Sequence, residues 1–339
     1  MKKMFLAATA ALALMASCDK HTDEIADSAA GSVVKITLAD KTPVMTRAFF
    51  GATAAAEDWE KEIKTLTLYV FDASGNYVLQ RNFSASEIAG QAATIPVPNA
   101  VPGENYSFYV VANGNAPAGI SALDDLLAAT EAEAGSYNGT FDEVVAAAKR
   151  SGGFTMTGSA SKAIAPAGET TAVQIELERL VAKIAVQASL DPKFASLYPG
   201  SVKIENTEIT GAMPSTRYFR DIRSSGGGSQ KFSHAQAAKA QGHNYCNLFY
   251  IYGNETGDKV LLTLEGLYDG DGDFATTADQ MPVNYEVELK DADGGYGIDR
   301  NTYRRVSVNI SGLTGTDVAV TITPADWEGP FNQDVNLGM

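Results

Sequence analysis

Cysteine and histidine are scarce: two and three residues in a chain of 339. That excludes a disulfide-stapled scaffold and a cysteine- or histidine-rich metal centre. His21 stands near the start. His234 and His243 lie nine residues apart in a glycine-rich stretch, a spacing that fits neither a helix-borne nor a finger-type zinc site. These histidines read as exposed loop residues, and Cys246, in the apolar run NYCNLFYIYG, as a buried thiol. Basic charge is also short: 26 Lys and Arg stand against 41 Asp and Glu, a formal charge of −15. That balance argues against nucleic acid and acidic lipid as partners. The chain holds no G-x-S-x-G, P-loop or H-E-x-x-H motif. Ser159 and Lys162 form an S-x-x-K without its companion motifs, in what reads as a loop. No catalytic residue, cofactor or metal ligand is nominated, and the chain is not read as an enzyme.

A membrane-spanning run is missing too. The apolar stretch from Met4 to Met15 is shorter than the ~20 residues a spanning helix needs. Lys2 and Lys3 precede it and small residues follow, so residues 1–17 read as a cleaved signal peptide. Ala16-Ser17-Cys18 resembles the lipobox of bacterial lipoproteins, although Met15 is unusual at its place. On that reading Cys18 carries acyl lipid, palmitate included, and becomes the mature N-terminus; several acyl chains hold a membrane far better than one. The alternative is an ordinary signal peptide with an incidental cysteine.

Residues 19–32 are polar and small, as in a flexible tether. VVKITLAD follows, with Val34, Ile36 and Leu38 alternating with polar or small residues, the pattern of a half-buried strand. Then comes TPVMTRAFFG, where a single arginine, Arg47, stands before Ala48 and two phenylalanines. A strand-forming piece therefore lies between the tether and Arg47.

Beyond Arg47 the pattern is mainly β. EIKTLTLYVFDASGNYVLQRNF gives two strands around a turn at 73–76, and ENYSFYVVAN a third. SALDDLLAATEAEA and TFDEVVAAAKR have helical spacing, with Ser121 and Thr140 as N-caps. GGFTMTGSAS reads as a short strand and loop. In ETTAVQIELERLVAKIAVQASL, Val173, Ile175 and Leu177 mark one strand face, and a junction between domains falls near Arg179. Six further strands follow, at SVKIENTEITG, CNLFYIYGN, DKVLLTLEGLY, VNYEVELK, TYRRVSVNISG and DVAVTIT, with a polar loop at 221–244. Two tandem β-sandwich-like domains fit this best, with short helices in the first. In YDGDGDFATTADQ, Asp269, Asp271 and Asp273 alternate like the start of a calcium loop. Phe274 and Gln280 replace the Gly and Glu that such a loop needs, so 269–279 reads as an acidic hairpin loop.

Taken in order, several stretches resemble the fimbrillins of Bacteroidetes, the subunits of type V pili. They are the lipoprotein leader, the lone Arg47 before an aromatic-rich start, FYVVAN, FTMTG, LERLVAKIAV, FYIYGN, RNTYRRVSVNISG and the terminal ADWEGP. The likeness runs from Cys18 to the end and is weakest over 221–244. It implies transthyretin-like sandwich domains at 48–179 and 180–328, behind a lipidated propeptide at 18–47. It implies export to the outer membrane, a cut by an Arg-specific protease between Arg47 and Ala48, and departure of the lipid with the first strand. The groove vacated by Val34, Ile36 and Leu38 then takes a strand from another subunit, in a cell-surface fimbrium. The donor is the C-terminal segment 329–339, where Phe331, Val335, Leu337 and Met339 alternate with polar or small residues, broken at Gln333. Residues 326–330 are expected to interrupt the sheet and release this tail. The partners implied are like subunits, anchor and tip subunits, the protease, and the outer membrane before the cut. Two other readings stand beside this one. One is a tip or minor fimbrial adhesin. The other is a non-polymerising, glycan-binding surface lipoprotein with Tyr218, Phe219, Tyr296 and Tyr303 exposed for sugar stacking.

Overall fold

Strand β1 (Ser32–Ala39) sets the local rule of this molecule: Val34, Ile36 and Leu38 point inward, Lys35 and Thr37 outward. The computed structural model describes residues 32–39, 53–54, 58–132, 153–219, 230–235, 245–253, 259–290, 294–315 and 318–327. Within them the period-2 pattern produces strands throughout. The strands β2 (Thr53–Ala54), β3 (Leu66–Phe71), β4 (Tyr77–Asn82), β5 (Ala92–Val97), β6 (Asn105–Ala112) and β7 (Thr130–Glu131) come first. Strands β8 (Met156–Ala163), β9 (Thr170–Glu176) and β10 (Glu178–Arg179) complete the first half. Short helices are α1 (Asp58–Lys61), α2 (Ala85–Ala89), α3 (Leu123–Ala128) and, in the second half, α4 (Phe194–Leu197). A capping box on Ser84 and Glu87 starts α2.

Two sheets hold most of these strands. One has the order β5-β1-β9 and the other β10-β8-β6-β3-β4. Their apolar side chains share one core, with Val34, Ile36, Ile95, Val173, Phe108 and Val110 among its members. At the β8–β9 approach a Cβ on Gly158 would lie 2.1 Å from the Glu176 oxygen, so only glycine fits.

The second half contains β11 (Val181–Leu190), β12 (Ser201–Ala212), β13 (Thr216–Arg217), β14 (Gln230–Ala235), β15 (Tyr245–Tyr252), β16 (Leu261–Asp269), β17 (Gln280–Glu288), β18 (Tyr303–Ile310) and β19 (Val318–Trp327). They form sheets of order β15-β11-β18-β19-β2 and β14-β12-β16-β17. Strand β11 is buried on both faces from Val181 to Ala188, which is why its sequence runs evenly apolar instead of alternating. Two short pairings cross between the halves. Thr53–Ala54 runs parallel to Asp326–Trp327, and Thr130–Glu131 runs antiparallel to Thr216–Arg217.

The mainly β, sandwich-like architecture agrees with the sequence, but several local expectations need correction. The helix over SALDDLLAATEAEA stops at Ala128, because the chain turns into β7. Ser121 does not cap it. The Ser121 hydroxyl donates to Asp125 Oδ2 (2.7 Å), and Ala122 holds the N-cap position. Ser159 and Lys162 lie within β8 rather than a loop, on opposite faces, so no S-x-x-K site exists. The expected polar loop contains β14, with His234 opposite Thr207. Cys246 lies in β15 opposite Gln187. Asp326 and Trp327 do not break the sheet: β19 continues through both, because β2 supplies them with a partner. Thr140 with its expected helix, and His243, lie outside the described residues.

Candidate functional site

The strand nominated as removable, β1, is the middle strand of its sheet. It runs antiparallel to β5 from Ser32↔Val97 to Thr37↔Ala92, and parallel to β9 from Val33↔Thr170 to Ala39↔Glu176. Both of its hydrogen-bonding edges are occupied. Val34 and Ile36 are wholly buried and Leu38 is 2% exposed. Ala93, Ile95 and Val97 of β5 and Val173 and Ile175 of β9 are buried on either side of them. The strand therefore fills a slot with two backbone walls and apolar flanks. Removing it would strip partners from rows of N–H and C=O groups on β5 and β9. It would also forfeit about 4.5–9 kcal/mol of burial, at ~1.5–3 per aliphatic side chain.

The chain is next described after β1 in a different sheet, at Thr53–Ala54. From there α1 packs against residues of both halves. Trp59 packs against Phe154 (ring centroids 5.1 Å) and edge-on to Tyr250 (5.6 Å). Glu60 is wholly buried: Lys183 Nζ lies 2.8 Å from Oε1 and 3.1 Å from Oε2, and the Tyr250 hydroxyl donates to Oε1 at 2.6 Å. Arg179 Nε donates to the Glu60 backbone oxygen (2.9 Å), and its Nη1 to Asn301 Oδ1 (3.3 Å). Burial alone would push the Glu60 carboxyl up. The Lys183 charge, with the hydrogen bonds from Lys183 and Tyr250, outweighs it and holds the group below the ordinary carboxylate value. Burial, then the Glu60 charge, push the Tyr250 hydroxyl well above its usual range. Sequence reasoning missed this anchor. Its signal was Lys183 inside LVAKIAV, a charge in an evenly apolar run that must find a buried partner.

Cys18, Arg47, Ala48, Phe331, Val335, Leu337 and Met339 lie outside the described residues. The aromatic set considered for sugar stacking is not available for it. Tyr218, Phe219 and Tyr303 are buried at 3%, 5% and 1% exposure. Tyr218 donates to the Asn115 oxygen, Phe219 packs edge-on against Tyr109, and Tyr303 lies under Lys183. Tyr296 is half-buried with Lys259 and Lys290 over its ring, each 5.2 Å from the centroid.

Among solved structures the chain is similar to a protein assigned to cell adhesion from Bacteroides eggerthii, at 18% identity and TM-score 0.61, over 88% of this chain and 97% of the other. It is similar to a fimbrilin from Porphyromonas gingivalis W83, at 16% and 0.57, over 90% and 99%. It is also similar to the tip fimbrial protein Mfa3 from Porphyromonas gingivalis, at 15% and 0.52, over 87% and 100%. Comparison with the curated proteins found no match. A family model described as fimbrillin-A associated anchor proteins Mfa1 and Mfa2 matches residues 38–330, most of the chain. The chain belongs to this family of fimbrillin-associated proteins.

Proposed function

We propose that the chain is a structural fimbrial subunit that assembles by strand exchange. It is exported as a lipoprotein through Cys18, cut between Arg47 and Ala48, and polymerised when a strand of another subunit replaces β1. The observation that carries this reading is the order of three features along the chain. A strand that completes a core comes first, Arg47 second, and a segment fastened in another sheet third. A cut at Arg47 severs β1 from the fold but leaves Thr53–Ala54, Trp59 and Glu60 in place. The cut strand is then held by noncovalent contacts alone, and a strand of matching period can replace it by edge addition. The tail 329–339, with Phe331, Val335, Leu337 and Met339, is the proposed donor. Transfer of a tail into the next subunit's groove is a heterologous contact, which propagates as a filament. The fibre is placed on the cell surface, with the lipidated precursor in the outer membrane.

The test is N-terminal sequencing of protein released from the surface of expressing cells, run beside an Arg47→Ala variant on an unboiled gel. The expected result is a first residue of Ala48 and a ladder that collapses in the variant. A lipidated Cys18 start with no ladder would make the chain an anchor, which keeps its lipid and needs no cut.

A further inference from the structure

Away from the β1 slot, strand β19 has one side only partly covered. It pairs along its length with β18, from Tyr303↔Ala325 to Ile310↔Val318. On its other side β2 covers only Asp326 and Trp327. Among the described residues nothing else pairs with that side, so the backbone from Val318 to Ala325 presents a free strand edge. The side chains there are under-covered as well. Val320 and Ile322 stand opposite Val308 and Val306, which are each 1% exposed. Opposed positions share a face, so all four lie on the core side of the sheet. Yet Val320 is 37% exposed and Ile322 is only partly buried. A free edge with apolar residues at its margin is a template for another strand.

The register of β2 identifies that strand. Thr53↔Asp326 and Ala54↔Trp327 run parallel. Continued towards the N-terminus, the same register sets Gly51 level with Pro324, Phe50 with Thr323, Phe49 with Ile322 and Ala48 with Thr321. Phe49 then falls on the core side, beside Ile322 and diagonal to Val320. We propose that residues 48–52 lengthen β2 along β19 and cover Val320 and Ile322 with Phe49, a step that rests on the cut at Arg47 proposed above.

Cleavage matters because of where the segment is tied. In the uncut chain its N-terminal side must return to Ala39, which is held beside Glu176 in another sheet. After the cut Thr53 is its only tether. The freed AFFGA has two phenylalanines and no charged side chain, which favours burial over solution. Two other strands compete for the edge. The tail departs at Trp327, where β2 already holds the edge, so a tight hairpin back along β19 is blocked. A strand from a second copy loses association entropy that a segment tethered at Thr53 does not. Covering β19 in this way also removes an edge at which subunits would pair out of place.

Disulfide trapping in the full chain tests the register. Cys18→Ser and Cys246→Ser remove the native thiols, and Phe49→Cys is combined with Ile322→Cys. Laterally paired strand positions lie within disulfide reach. The control combines Phe49→Cys with Thr323→Cys, because Thr323 faces the opposite side of the sheet. The purified chain is cut with an Arg-specific protease, its Ala48 start is confirmed by N-terminal sequencing, and mild oxidation follows. The expected result is a link within one chain, identified by mass spectrometry of the joined peptides. It should form roughly 10-fold faster than in the control pair or in the uncut chain. A link between two chains, running as a dimer on a non-reducing gel, overturns the inference in favour of a second copy. Absence of a link overturns it, as do equal rates in the two pairs or in cut and uncut chains. Because the cut is made on purified protein, these outcomes stand whether or not cells make it. Cellular processing is read separately, from the first residue of surface-released protein.

Discussion

Lys183 Nζ stands 2.8 Å from Glu60 Oε1, and neither side chain is exposed. The pair ties α1 to the middle of β11 across 123 residues of sequence. It fastens the start of the segment beyond Arg47 to the second half of the molecule. Removing one partner leaves the other charge stranded in the core, which costs about 3–5 kcal/mol. Glu60→Ala is expected to lose that much, measured from the urea midpoint. Glu60→Gln should lose less, because an amide oxygen still accepts from Tyr250. The double variant Glu60→Leu with Lys183→Met should be more stable than Glu60→Ala, since it strands no charge.

The same pair gives the fold an acid-sensitive component. Glu60 is held below its ordinary value in the folded chain. A group of this kind contributes stability above the unfolded carboxylate value, and the contribution is lost as pH falls through the folded one. The parent chain should therefore lose more stability than Glu60→Gln between neutral pH and acid. The gap between their denaturant midpoints should narrow as pH drops below about 4.5. A gap that stays constant over that range would show that Glu60 is not the titrating group.

Much of this architecture was legible in the residues because exposed faces leave a period. Strand β17 buries Val283, Tyr285 and Val287 and exposes the residues between, so VNYEVELK announces itself. Strand β5 does not. In AATIPV its buried positions are Ala93, Ile95 and Val97, and alanine and proline carry little strand signal. The two-residue strand β2 has no period to read. Partner choice was also hidden, because the alternation in β1 suits any groove of the same spacing. Only the fold sets it between β5 and β9. The Glu60 anchor was invisible for the same reason: Lys183 declared a need for a partner, but nothing local said which carboxylate would answer.

Asn113 performs several tasks at once. It adopts φ 59°, in the left-handed region that asparagine tolerates better than most residues. Its Oδ1 accepts from the Lys64 amide (2.8 Å), and its Nδ2 donates to the Glu62 oxygen (2.6 Å) and the Phe154 oxygen (2.8 Å). Asn113→Ala leaves these three backbone groups without the amide and forces alanine into an unfavourable backbone region. The expected loss is about 2–5 kcal/mol. Asn113→Gly removes the same hydrogen bonds but relieves the backbone, so it should be about 1 kcal/mol more stable than Asn113→Ala. Equal denaturant midpoints for the two would assign the whole effect to the side-chain bonds.

Ile36 separates a strand that is needed permanently from one that is needed only for a time. It is wholly buried at the centre of β1, and an aspartate there would be an unpaired charge in the core. In an uncut chain, Ile36→Asp should lower stability by about 3–5 kcal/mol. If β1 leaves after cleavage at Arg47, its sequence ceases to matter once it is gone. Both chains, cut by an Arg-specific protease and freed of the released peptide, should then melt at one temperature and form ladders at one rate. A synthetic peptide of residues 32–39 added to the cut chain should slow the ladder by competing for the slot, and the same peptide carrying Ile36→Asp should not. A stability difference that persists after the cut would mean that β1 remains in the mature subunit, and exchange at this groove would be refuted.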